Sequence, residues 1–223
     1  MIDIANKRDE YEYYKYMTIR GKGTYKIVDE MLMILTNRAQ ISYSEFSGFI
    51  RYDKRLRDLL YVYLGSFEEY LKSICFEKIE YEGQKDIYSV NDNNLNLFRP
   101  SDEYGYNLYK HSKMDLGNLL RLIRKFYETL ELDLIDKDYF AKLIKVRKLR
   151  NLVMHHSLVL VDPLTCDSEL KIRNHFSVVT SWLVALRDLL PNDWKKGYVS
   201  DLDRIKYEKD GKLLTNIFLE ISI

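Results

Sequence analysis

The chain is poor in the residues that break helices: among 223 residues there are only three prolines and nine glycines. So few turn-formers argue against a β-rich or low-complexity chain and leave room for long helices. Cysteine is scarce as well. Two residues, Cys75 and Cys166, cannot form a disulfide framework, and Cys75 falls inside an apolar helical pattern, so both are expected to be structural. No apolar run approaches the ~18 residues of a membrane span. The start, MIDIANKRDEYEYY, has no apolar core of the kind a signal peptide needs. These absences predict a cytoplasmic protein without a membrane partner. The formal net charge is only +1, so any grip on nucleic acid must come from a local patch.

What is present is 46% hydrophobic and 31% charged residues, the balance of a folded domain. No solenoid repeat and no Pro- or Gly-rich linker divides the chain, and its length suits one domain over 1–223 with a core at about 24–191. Ile27, Met31 and Leu35 mark a helix from near Thr24. A longer helix is expected from Tyr52 to about Ile79, where Leu56, Leu60, Leu64, Phe67, Leu71 and Ile74 recur at three- and four-residue steps. Residues 81–113 contain Gly83, an Asn-Asp-Asn-Asn run, Pro100 and Gly105, which predict a long irregular insert and a wall for a site.

Asp115 reads as the N-cap of a helix carrying Leu116, Leu119, Leu120, Ile123, Tyr127 and Leu130. The next helix is expected from Asp136 or Asp138 through Phe140, Leu143 and Val146 to His155. Asp167 or Ser168 then opens a helix in which Ile172, Phe176, Val179, Leu183, Leu186 and Leu190 run up to Pro191. The tail 197–223 is read as extended or as a hairpin about Asp210-Gly211, with a helix over Leu213–Ile221 as the alternative. Together these predict an all-α, up-down bundle of four to five core helices.

The chemistry concentrates in Lys142–Ser157, KLIKVRKLRNLVMHHS. Lys142, Lys145, Arg147, Lys148 and Arg150 fall within nine residues and are followed by Asn151, His155 and His156. A basic helix end complements the macrodipole, and that alone explains much of the pattern. Spacing adds more. Asn151 and His155, four apart, share a helical face, whereas Arg150 and His155 do not. An imidazole can take the proton of a ribose 2′-hydroxyl while an arginine holds the neighbouring phosphate, a reaction that needs no metal or other cofactor. His155-His156 offers no metal site, because adjacent helical side chains point about 100° apart and no third ligand stands at useful spacing. His111 and His175 are read as polar-tipped side chains, and Gly21-Lys22-Gly23 lacks the ending of a phosphate loop.

Arg150-Asn151-Leu152-Val153-Met154-His155 resembles the Arg-Asn-three residues-His signature of HEPN ribonucleases, in the spacing of Abi-like proteins. The stretch from Arg57-Asp58-Leu59-Leu60 through Glu68, Leu71 and Ile74 is similar to the long Abi-like helix, and Met114–Leu122 to that family's Gly-containing helix start. The resemblance implies a helical bundle that dimerises to bring two Arg/His motifs into one cleft. It further implies endoribonuclease activity in phage defence or as a toxin, leaving 2′,3′-cyclic phosphate ends, with an antitoxin or regulatory partner. In that reading Arg150 holds phosphate, Asn151 orients the site and His155 is the base, while Lys142, Lys145, Arg147, Lys148 and His156 bind RNA. The alternative is a non-cleaving module that binds a small structured RNA or a partner protein. Met154 and Ser157-Leu158-Val159-Leu160 depart from the Abi-like pattern, which carries a small residue before the histidine and an Arg or Asn after it.

Overall fold

A computed structural model describes residues 2–78, 114–125 and 137–215. The order is β1 (Ile2–Asp3), α1 (Lys7–Arg20), α2 (Lys22–Thr36), β2 (Ile41–Ser42), α3 (Tyr43–Lys78), α4 (Leu116–Lys125), α5 (Lys137–Met154), α6 (Glu169–Leu189) and α7 (Asn192–Arg204). The fold is all-α, and the two short strands pair in parallel, Ile2 opposite Ile41 and Asp3 opposite Ser42. The expected insert 81–113 lies outside the described residues, as do Tyr127, Leu130, Asp136 and the stretch 216–223.

α3 is the spine, 36 residues and about 54 Å at 1.5 Å per residue. It starts nine residues before the expected Tyr52 because Ser42 and Glu45 form a capping box. The Glu45 N–H donates to Ser42 Oγ at 3.3 Å, and Glu45 Oε2 accepts from the Ser42 hydroxyl at 2.8 Å. Leu56, Leu60, Leu64, Phe67 and Leu71 are buried along it, and Ile74 packs at its edge. α6 buries Ile172, Phe176, Val179, Leu183 and Leu186, the expected stripe, and Leu190 closes it. Asp115 caps α4 as its side chain predicts, with Oδ1 accepting from the Asn118 N–H at 2.7 Å.

Other expectations change too. In α2 the buried stripe is Tyr25, Val28, Met31 and Leu32, so Ile27 and Leu35 flank the core instead of centring it. α1, which the sequence did not announce, carries no buried residue; Asn6 caps it by accepting from the Arg8 and Asp9 N–H groups, both at 3.0 Å. An aromatic cluster fixes it to the body, with Tyr13 edge-on to Tyr25 at 5.4 Å between ring centres.

The tail is also more helical than expected, since α7 runs through Gly197. That position needs little side chain, because a Cβ there would meet Tyr63 Oη at 3.3 Å. The hairpin lies beyond it: Tyr207 bridges Leu213 in antiparallel fashion around Gly211 at φ +80°. It is fastened to α3 through Glu208, which pairs with Arg51 and, at 2.9 Å, with Arg55.

Candidate functional site

α5 ends in a Schellman turn. The His156 N–H donates to the Val153 carbonyl at 3.1 Å and the Ser157 N–H to the Leu152 carbonyl at 3.0 Å, with His156 in the left-handed region at φ +55°. The helix therefore stops at Met154, one residue before the expected His155. His155 is the half-helical closing residue, and the chain reverses at His156.

The segment that follows is held by three side chains from two helices. Asp53 of α3 is fully buried, and its Oδ1 accepts from the N–H groups of Val159 at 2.8 Å and Leu160 at 2.9 Å. One turn further along α3, Arg57 donates to the His156 carbonyl at 2.6 Å and the Ser157 carbonyl at 3.5 Å. His175 Nε2 of α6 lies 3.1 Å from the Val159 carbonyl oxygen. Burial raises the Asp53 carboxyl to about 6, although the Leu160 amide, Arg57 and the Val159 amide pull the other way. Its Oδ2 has no hydrogen-bond partner among the described residues.

This segment forms one wall of a groove of about 1290 Å³, whose other sides come from the end of α1, the start of α2, and α6. Lys148, Asn151 and His155 line it because they lie within about 60° of one another at 100° per residue. His156 and His175 line it too, so three of the four histidines in the chain meet here. Among the described lining residues four cations, Arg20, Arg57, Lys148 and Lys171, face one carboxylate, Asp162. Ile19, Ile27, Val178 and Trp182 make an apolar side. The arrangement offers positive charge to an anion, imidazoles for proton transfer and a flat apolar surface for a ring.

The remaining basic residues of α5 point elsewhere. Arg150 lies about 140° around the helix from His155. Its Nη2 is 3.6 Å from Glu68 Oε2 of α3, and its buried Nε has no hydrogen-bond partner among the described residues. Lys142 pairs with Asp138 at 3.1 Å and Asp188 at 3.3 Å, and its ammonium is held above the ordinary lysine value, chiefly by the Asp138 bond. Arg147 is exposed on the α4 side, its guanidinium 3.5 Å from where a Cβ on Gly117 would sit. Lys145 is half-exposed and is not among the groove residues. The five cations that cluster in the sequence thus radiate around the helix, and only Lys148 joins Asn151, His155 and His156.

Sequence reasoning missed Asp53, Arg20, Arg57, Lys171 and Trp182, and it set His175 aside. For Asp53 there was a signal: it continues the Leu56, Leu60, Leu64 register one step earlier, a carboxylate where the pattern asks for a core residue. Among the described residues no group of three or more His, Cys, Asp or Glu side chains is placed to hold a metal ion, and no helix is long and apolar enough to cross a membrane. No family model, curated protein or solved structure matches the chain.

Proposed function

We propose that this protein is an endoribonuclease of the HEPN kind that acts on RNA in the groove at the end of α5, with His155 as the general base. The observation that carries the proposal is the meeting of His155, His156 and His175 with four cations and one carboxylate in a groove large enough for several atoms of a nucleotide chain. A phosphate held by Lys148 and Arg57 would leave the neighbouring 2′-hydroxyl within reach of His155. Removal of its proton turns that oxygen on the phosphorus; the P–O5′ bond breaks, and the 5′-oxygen departs with a proton. The products are a 2′,3′-cyclic phosphate and a 5′-hydroxyl; His155 keeps the 2′-hydroxyl proton, and His156 or His175 would donate the separate proton that the 5′-oxygen takes.

Arg150, the phosphate clamp implied by the resemblance, belongs to this proposal through a second copy of the chain. Its own groove is on the far side of α5, so a two-fold dimer that presents the partner's α5 is the arrangement in which it serves. A role in phage defence or as a toxin belongs to the same proposal. The second reading, a module that binds RNA without cutting it, is favoured by one feature: the Arg150–Glu68 pair keeps the guanidinium away from His155.

The test is incubation of the purified protein with mixed RNAs in chelator, with analysis of the new ends. Cyclic phosphate ends that disappear by two to four orders of magnitude in His155→Ala are expected, the usual scale for a positioned base. Cleavage by His155→Ala at the parent's rate overturns the assignment, and RNA binding without cleavage by either protein establishes the second reading.

A further inference from the structure

Asp53 is a carboxylate with no apparent reason to be where it is. It sits in the core register of α3, fully buried, at a position that Leu, Ile or Phe would fill without desolvating a charge. It touches no lining residue's side chain by any hydrogen bond, and it does not itself line the groove. What it holds is backbone. One oxygen accepts two successive N–H groups, those of Val159 and Leu160, which otherwise would be buried donors without partners.

Arg57, four residues on and therefore on the same face of α3, takes the two carbonyls that precede them, His156 and Ser157. The segment from 156 to 160 runs through neither helix nor strand, so it has no ladder of its own to satisfy these groups. Two side chains of one helix face stand in for that ladder. The consequence falls on the two imidazoles, because His156 belongs to the clamped segment and His155 is the residue immediately before it.

We infer that Asp53 is a positioning residue for the groove: with Arg57 it clamps 156–160 against α3 and so fixes where His155 and His156 face. The inference rests on the groove being the working site, but the clamp itself can be tested without any activity. Removing the acceptor at Asp53 frees two buried amides at once, and the segment detaches from α3 without any group that contacts RNA having been touched. An asparagine keeps one oxygen where Oδ1 stands and so keeps the clamp.

The experiment follows amide hydrogen exchange over 155–161 and the ring signals of the four histidines in Asp53→Ala, Asp53→Asn and a control, Leu71→Ala. Leu71 is buried on the same helix about 27 Å from Asp53, so its loss weakens the core without reaching the clamp. Asp53→Ala is expected to speed exchange over 156–160 by tenfold or more and to move the ring signals of His155 and His156. Asp53→Asn is expected to restore both, and Leu71→Ala to leave both as in the parent. RNA cleavage should fall at least tenfold in Asp53→Ala, by more than RNA affinity does.

Should Asp53→Ala fail to fold, Arg57→Gln replaces it with the same two spectroscopic readouts. Protected Val159 and Leu160 amides in Asp53→Ala, or unmoved His155 and His156 signals in whichever of the two variants folds, overturn the inference. If the parent cuts no RNA, the endoribonuclease reading fails, while exchange and ring signals still decide the clamp.

Discussion

Replacing Asp53 by asparagine should remove one buried group's contribution to the pH dependence of stability. The folded protein binds the Asp53 proton more tightly than the unfolded chain does, because burial raises the carboxyl from 3.8 to about 6. Stability from this group is therefore greatest below about pH 4 and falls as the pH climbs through the window up to about 6. A shift of about two units at about 1.4 kcal/mol each amounts to about 3 kcal/mol, undiscounted because the carboxylate is fully buried. Asparagine keeps an acceptor for the Val159 and Leu160 amides and carries no charge to desolvate; its amide group adds an offset that does not vary with pH.

Urea unfolding of parent and Asp53→Asn at steps from pH 3.5 to 8 measures the effect. Other carboxylates titrate identically in both proteins and cancel in the difference. The difference, variant minus parent, should rise by about 3 kcal/mol between pH 4 and 6 and then level. A flat difference refutes the reasoning. One that falls with rising pH shows that Arg57 and the two amides outweigh burial.

His156→Gly should raise stability by about 1 kcal/mol, since glycine adopts the left-handed turn without a Cβ penalty, and a lowered urea midpoint would speak against the Schellman assignment. Gly48→Ala places a Cβ 1.9 Å from the Leu214 carbonyl oxygen, so the hairpin must lift from α3; a loss of about 1–3 kcal/mol is expected, with amide protection lost first around 206–214. Lys148→Ala should weaken RNA binding and reduce its salt slope by about one, whereas Lys142→Ala, already paired with Asp138 and Asp188, should leave both as they are in filter-binding titrations.

The helices with one apolar stripe were legible. Leu56 to Leu71 in α3 and Ile172 to Leu186 in α6 repeat at helical spacing, and burial follows that spacing directly. α1 was not, because KRDEYEYYKYMTIR has no stripe: its tyrosines and charges are spread around the helix, and tertiary contacts of Tyr13 hold it. The early start of α3 was written in Ser42-Tyr43-Ser44-Glu45, a capping box followed directly by the buried Phe46, Phe49 and Ile50 at helical spacing. At the site, Lys148, Asn151 and His155 could be grouped from one helix's geometry. Arg20, Arg57, Lys171 and Trp182 come from three other helices, and no local pattern reports which faces of separate helices meet. The density of cations in 142–150 misled for the same geometric reason, since neighbours in sequence diverge by 100° at each step around a helix.

The most direct test of the central claim, that RNA occupies the groove at the end of α5, is photocrosslinking of His155→Ala to short RNAs carrying 4-thiouridine, with the crosslinked peptides mapped by mass spectrometry. Crosslinks should fall within 19–27, 148–165 and 171–182, and they should weaken in Lys148→Ala. Crosslinks confined to α7 or to the outer face of α4 beside Arg147, with the groove peptides unmodified, would contradict the account.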